Sequence, residues 1–286
     1  MTQSFDKRLT PARPDLAAEH LRGKVDAERF VTGRPMRVAD ETVALRAAPR
    51  RDQSIDTEAL YGERLTVYER DDEGWAWVQL ERDSYVGYVP TEALRDDAPP
   101  PTHRVRAPRT FVYPTPNMKT PPLMALSLGA EVCLVAAHGD FAGLAGGGFI
   151  WTEHLAAPGQ HEADFVAVAE GFLNTPYLWG GKTYSGLDCS GLIQIALGAC
   201  GVAAPRDTDM MALALGVEIT AGDNLAGLRR GDLVFWKGHI GVMQDAATLL
   251  HANGHHMMVA SEPLRNARDR ILAKSFGAVT CVRRLS

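Results

Sequence analysis

The sequence predicts an α+β protein in which a helix-then-sheet domain follows two small β-rich modules. Three observations carry that prediction. After Pro158-Gly159 the hydrophobic period changes from two to about 3.6 residues, the step from strands to helices. Beyond Gly231 the period returns to two over several short apolar runs. Ahead of the helices, one β-rich segment weakly repeats another. Gly62-Glu63-Arg64-Leu65-Thr66-Val67 corresponds to Gly129-Ala130-Glu131-Val132-Cys133-Leu134, and Gly87 to Leu94 corresponds to Gly148 to Leu155.

In chain order, residues 1–35 are polar and read as an N-terminal arm with a helix over Asp15 to Phe30. The first β-barrel is expected over 36–96. In it, Leu65-Thr66-Val67-Tyr68 and Trp75-Ala76-Trp77-Val78 alternate as strands do, around the turn Asp71-Asp72-Glu73-Gly74. Consecutive prolines after Asp96-Asp97-Ala98 mark a linker, since they continue neither helix nor sheet. The repeat places a second barrel over 102–157 and leaves a third domain over 160–286.

In that domain Phe165, Val168, Ala169 and Phe172 fall on one helical face. A second helix starts near Cys189 and buries Leu192, Ile193, Ala196 and Ala199. Strands follow at Leu233–Trp236, His239–Met243, Thr248–Ala252, Met257–Ala260 and Ala278–Val282. Helices first and an antiparallel sheet after them is the α+β arrangement.

The chemistry gathers around Leu187-Asp188-Cys189-Ser190-Gly191. Cys189 sits where a loop turns into an apolar helix, and free N–H groups at a helix N-terminus favour a thiolate. Asp188 is placed to cap that helix. A buried, inert cysteine is the competing reading for Cys189 alone. His239 shares a strand face with Gly241 and Met243, and the glycine leaves room for another group beside the imidazole. A histidine next to a thiol is the usual general base. His251, twelve residues on, can orient His239 as an acceptor toward its second nitrogen. Tyr177 lies in the glycine-bearing loop Thr175 to Gly181 and can lend its hydroxyl to an oxyanion beside the Cys189 N–H. Core packing is the bland alternative for Tyr177, and more so for Trp179. His255 and His256 follow Asn253-Gly254 and read as surface residues. A metal site from His251, His255 and His256 is the lesser alternative, since no acidic or paired-cysteine ligand is nearby. No metal is expected, and the thiol chemistry calls for no cofactor.

Composition sets bounds. The chain of 286 residues is 45% hydrophobic and 23% charged, in the globular range. A formal charge of −5 without a long basic run argues against nucleic acid as a partner. No apolar run is long enough to span a bilayer, so no membrane partner is expected. The start Met1 to Arg8 lacks the apolar core of a secretory signal. Four cysteines without paired spacing fit reduced thiols, and together these features lead to the expectation of a cytoplasmic protein. The sequence does not speak to oligomeric state.

Pro176-Tyr177-Leu178-Trp179-Gly180-Gly181, Asp188-Cys189-Ser190-Gly191-Leu192, Gly231-Asp232-Leu233-Val234-Phe235-Trp236, Gly238-His239-Ile240-Gly241-Val242 and Leu250-His251-Ala252 stand in the order typical of NlpC/P60 cysteine peptidases. About residues 160–284 share that resemblance, and the β modules resemble bacterial SH3-like domains. The resemblance implies a papain-like core with a Cys189–His239–His251 triad and Tyr177 beside the nucleophile. It implies substrate contacts for Asp188, Ser190, Trp179 and Arg206. It also implies hydrolysis of the γ-D-glutamyl–diamino acid bond of a small muropeptide, L-Ala-γ-D-Glu-diamino acid, in cell-wall recycling. In such members the first SH3-like domain closes the end of the cleft that holds a free L-alanine, for which Glu58, Tyr61, Tyr85 and Tyr88 are candidates. A non-catalytic muropeptide- or wall-binding protein, or an amidase or acyltransferase of the same fold, are the alternatives.

Overall fold

A computed structural model describes residues 5–97, 99–220, 222 and 225–285. The chain divides into two compact units, Met1–Pro158 and Gly159–Ser286.

In the first unit, the helix expected over Asp15 to Phe30 is absent. The segment instead forms β1 (Leu16–Ala18), a 3-10 turn (Glu19–Leu21) and β2 (Arg29–Val31), with β1 and β2 parallel. Leu16, Ala17 and Ala18 are all fully buried, which an extended segment permits and a one-sided surface helix does not. Gly23 at φ 76° then turns the chain out of the helical region. Arg13 ties this arm to the first barrel. Its guanidinium lies 4.4 Å from the Trp77 ring centre, donates to the Tyr88 hydroxyl at 2.8 Å and pairs with Glu69.

The first barrel runs through β3 (Arg34–Val38), β4 (Thr42–Leu45), β5 (Thr57–Leu60), β6 (Arg64–Arg70), β7 (Trp75–Leu80), β8 (Val86–Pro90) and β9 (Leu94–Asp96). The second runs through β10 (His103–Val105), β11 (Arg109–Tyr113), β12 (Met124–Ser127), β13 (Glu131–Val132), β14 (Leu134–His138), β15 (Phe141–Leu144), β16 (Phe149–Trp151) and β17 (Leu155–Ala156). Their strand pairing is largely shared, except that β11 forms a ladder with β16 where only an isolated bridge, Arg46 to Tyr88, joins the equivalent strands of the first. β3 lies between β6 and β9 as β10 lies between β13 and β17, and β4 pairs with β5 as β11 pairs with β12. Both copies reach their last strand through a 3-10 turn, Thr91–Ala93 or Thr152–His154. A further difference is that β6 bends at a bulge near Val67, whereas the second copy breaks there into β13 and β14.

Within this unit the barrels are joined by hydrogen bonds. The Glu131 N–H donates to the Tyr61 carbonyl at 2.9 Å, and Arg37 donates to the Gly62 carbonyl at 2.8 Å and to Glu131. Tyr61 packs in the core of the second barrel and Tyr85 in that of the first.

The second unit opens with α1 (Phe165–Glu170), capped by Asp164. Its buried residues are Val166 and Ala169, with Phe172 buried in the turn after it; Val166 rather than Val168 faces inward, and Val168 is only partly covered. A short hairpin, β18 (Lys182–Thr183) and β19 (Gly186–Leu187), leads into α2 (Cys189–Ala199). Nearly every residue of α2 is buried, as for a helix enclosed on all sides. Then come α3 (Thr208–Ala214), β20 (Val217–Glu218), β21 (Leu233–Trp236), β22 (His239–Met243), β23 (Thr248–Asn253), β24 (Met258–Pro263), α4 (Leu264–Lys274) and β25 (Val279–Arg284). The sheet is antiparallel throughout, in the order β20-β25-β21-β22-β23-β24. α2 packs on β22 and β23, while α4 packs on β23 and β24 and buries Leu264, Ala267 and Ile271 with Met243 and Leu249. Neither α3 nor α4 is among the expected helices, although the spacing of Leu264, Ala267 and Ile271 is helical. No helix among the described residues is long and apolar enough to cross a membrane.

Candidate active site

Asp188 is the N-cap of α2. Its carboxylate accepts from Gly191 N at 2.6 Å and from Gly180 N at 2.9 Å, so one side chain joins the helix start to the preceding loop. The loop lies so close that a Cβ on Gly191 would stand 2.2 Å from the Gly181 carbonyl oxygen. Only glycine fits there. The same contact fixes Cys189, two residues earlier.

The cysteine environment departs from the expected thiolate. Cys189 is buried, and burial together with the Asp188 carboxylate pushes its thiol up to about 11. The Ile240 N–H and the Thr208 hydroxyl, 3.9 Å from the sulfur, act the other way without prevailing. A helix-end dipole is a modest effect beside full burial.

Asp188, Ser190 and Arg206 form one buried cluster. Arg206, 1% exposed, donates to both Asp188 oxygens at 3.0 and 2.6 Å and to the Ser190 hydroxyl at 2.7 Å. The Arg206 guanidinium is raised further by Asp188 despite its burial. These three side chains hold one another at the helix start, a buried network that fixes the cap of α2. Trp179, in contrast, is 65% exposed and is not a core residue.

Tyr177 is held from both sides. Its N–H donates to the Met257 carbonyl at 2.9 Å, and it bridges Leu187 just ahead of the nucleophile. Burial and the neighbouring Cys189 and Asp188 raise its phenol, so it stays a neutral hydroxyl donor.

The histidines follow the strand pleat. Val242 pairs with Leu250, which sets Gly241 opposite His251 and His239 diagonal to it. A Cβ on Gly241 would meet Leu249 Cδ1 at 2.8 Å and His251 Cβ at 3.2 Å, so the glycine makes the room that its place in the pattern suggested. His239 Nε2 lies 2.8 Å from His251 Nδ1. The Trp236 and Phe276 rings lie 5.6 and 5.3 Å from the His239 ring, Phe276 parallel to it. Burial, with His251 and the Arg270 cation, brings His239 down to about 3, so it is a neutral imidazole. Burial likewise lowers His251.

Sequence reasoning missed Thr208, Phe276, Glu262 and Arg270. The strand expected to end at Ala260 continues to Pro263 and presents Glu262 to His251 Nε2 at 2.9 Å. Burial opposes ionisation of Glu262, but hydrogen bonds from Arg270 and His251 outweigh it and hold the carboxyl at about 2. His251, His256 and Glu262 bring donor atoms within 4.8 Å of one another. These atoms already have partners. Glu262 accepts from Arg270 and His251, and His256 Nδ1 meets Asn253 Oδ1 at 3.0 Å.

The remaining candidates lie in the first unit. Tyr61 and Tyr85 are core residues of the barrels, with the Tyr61 hydroxyl accepting from Arg95 at 3.2 Å, so neither is an open ligand contact. The Tyr88 hydroxyl is taken by Arg13. Glu58 sits buried on β5, opposite Ala44.

Residues 174–274 match the model of the NlpC/P60 family, and residues 45–94 match the bacterial dipeptidyl-peptidase SH3 domain. Over 101 residues the chain is 33% identical to dipeptidyl-peptidase 6 of Lysinibacillus sphaericus, which is 35% of this chain and 36% of that protein. The chain thus spans about a third of that relative's length. Over 224 residues it is 25% identical to the γ-D-glutamyl-L-lysine dipeptidyl-peptidase of Bacillus subtilis (strain 168), covering 70% of this chain and 73% of the relative. The crystal structure of an NlpC/P60 family protein from Bacillus cereus superposes with a TM-score of 0.71 at 18% identity, covering 87% of this chain and 99% of the other. At that identity the likeness speaks to the fold.

Proposed function

We propose that this chain, whose C-terminal domain belongs to the NlpC/P60 family, is a cysteine peptidase of peptidoglycan metabolism. Its substrate in this reading is a short peptide, L-Ala-γ-D-Glu-diamino acid with a free amino terminus, cut at the γ-D-glutamyl–diamino acid bond. The observation that carries the reading is the His239–His251 pair, joined at 2.8 Å between β22 and β23, with the N–H of Ile240, next to His239, bonded to the Cys189 sulfur at the α2 N-terminus. Two relatives named for γ-D-glutamyl-L-lysine dipeptidyl-peptidase activity support the substrate class.

In this mechanism the Cys189 sulfur attacks the γ-carbonyl carbon as His239 takes the thiol proton at Nδ1. The oxyanion is held by the Cys189 N–H and the Tyr177 hydroxyl. His239 then passes its proton to the leaving amine as the C–N bond breaks, leaving a thioester. Water, deprotonated by the same imidazole, adds to the thioester, and the released thiolate regains the proton. His251 keeps the imidazole in the required orientation. Four free cysteines suit a reducing compartment, in keeping with recycling of wall fragments in the cytoplasm.

Cys189→Ala should lower turnover of L-Ala-γ-D-Glu-diamino acid tripeptide by about 10³-fold or more. Mass spectrometry should find free diamino acid and L-Ala-D-Glu from the parent enzyme, and N-acetylation of the alanine should suppress both. Undiminished turnover by the variant would refute the mechanism. A transferred acyl group in place of free L-Ala-D-Glu would indicate an acyltransferase.

A further inference from the structure

We propose that Glu262, clamped by Arg270, is a positioning residue that sets the proton on each histidine and extends the triad into a four-member relay. The proposal rests on the thiol-hydrolase reading for its consequence in catalysis, but its structural content does not depend on any substrate.

His239, His251 and Glu262 occupy three neighbouring strands, β22, β23 and β24. His251 pairs with Ala260, so Glu262, two residues on, projects from the same face. The three side chains therefore form a diagonal row across the sheet, on the face that α4 covers. Arg270 reaches the end of that row from α4 and bonds both Glu262 oxygens, one of them at 2.6 Å.

Hydrogen-bond polarity along the row has one solution. An ionised carboxylate can only accept, so His251 Nε2 must carry the proton it gives to Glu262. A neutral His251 then has a bare Nδ1, which can only accept from His239 Nε2. His239 is left with a bare Nδ1, the lone pair that a general base needs. Without Glu262 the row could run backwards. His251 Nδ1–H would donate to His239 Nε2, and His239 Nδ1 would hold a proton and accept none. The role of Arg270 is to keep the carboxylate ionised where burial would neutralise it.

The test uses full-length protein with ring-15N-labelled histidine and long-range 1H–15N NMR at neutral pH, without substrate. The parent should show Nε2–H tautomers at both His239 and His251. Glu262→Ala should lose the single tautomer at both rings and lower kcat by about 10–100-fold, with KM within about twofold. Arg270→Met retains the carboxylate but removes its clamp. The titratable groups around Glu262 are then His251, His255 and His256, and the acid limb of kcat/KM should move to higher pH than in the parent as Glu262 takes up a proton. Thermal unfolding and the NMR fingerprint identify a variant that has lost its fold, and the parent tautomers decide in that case. An Nδ1–H at either ring of the parent overturns the proposal, as do unchanged tautomers in folded Glu262→Ala. If the tautomers shift as expected while the parent cleaves no muropeptide, the relay stands and the substrate reading fails.

Discussion

Cys189 and His239 are both held in their neutral forms, and this determines the pH response. The thiol is raised to about 11 and stays protonated through the neutral range, while the imidazole is lowered to about 3 and stays free to accept. Acid inactivates by protonating His239, so a lowered value moves that loss to lower pH. We predict a kcat/KM plateau from about pH 5 to pH 9, with its acid limb below the ordinary histidine value near 6.5. An acid limb centred near 6.5 would show that His239 titrates as if exposed. At the same scale, Arg206 stabilises the nucleophile's cap. Arg206→Met leaves the Asp188 carboxylate buried without its cation and should destabilise the second unit by about 3–5 kcal/mol in urea unfolding. Adding Asp188→Asn should recover part of that loss, because the two side chains act as one group. Cys189, His239 and His251 were legible as residues because thiol and imidazole chemistry is scarce and their flanking glycines and strands are regular. The neutral state of the pair was not legible, since it arises from burial contributed by distant segments.

At the scale of the element, two close approaches set the site: α2 against the loop before it, and β22 against β23. Gly241→Ala places a methyl 3.2 Å from His251 Cβ and 2.8 Å from Leu249 Cδ1. The leucine end can rotate away, but the histidine Cβ is fixed to its strand. We expect a stability loss of about 1–2 kcal/mol and a drop in kcat of about tenfold, larger than the stability change explains. Comparing chemical denaturation with single-turnover rates checks this. Strand alternation made β21 to β23 readable down to which face His239 shares with Gly241. It failed at β24, whose register past Ala260 is set by pairing with β23. The arm over Asp15 to Phe30 failed for a related reason. Its composition suits a helix, but three consecutive residues are buried in an extended pairing.

On the scale of the whole molecule, the two units have separate cores, and the first unit contains two barrels of one topology. Gly62 and Gly129, equivalent in the repeat, both adopt positive φ, at 76° and 85°. Gly62 does more than turn, because a Cβ there would stand 2.0 Å from the Glu131 carbonyl of the second barrel. Gly62→Ala should cost about 2 kcal/mol or more. Because Tyr61 belongs to the second barrel's core, the loss should appear in both barrels together. Segment-resolved hydrogen exchange should show both accelerate while α2 and its sheet keep their protection.

Sequence alone determined the fold class, the tandem β modules, the helix that opens at Cys189 and the strand face that carries His239. Each follows from local periodicity or from a residue whose chemistry is scarce. Tertiary structure decided what those residues can do. It placed Asp188, Ser190 and Arg206 in a closed cluster, moved Tyr61 and Tyr85 into barrel cores and added Glu262 and Arg270 behind the histidines. Strand register and burial are properties of segments far apart in the chain. Hydrogen-bond polarity and proton affinity depend on both, so they emerge only once the sheet is assembled.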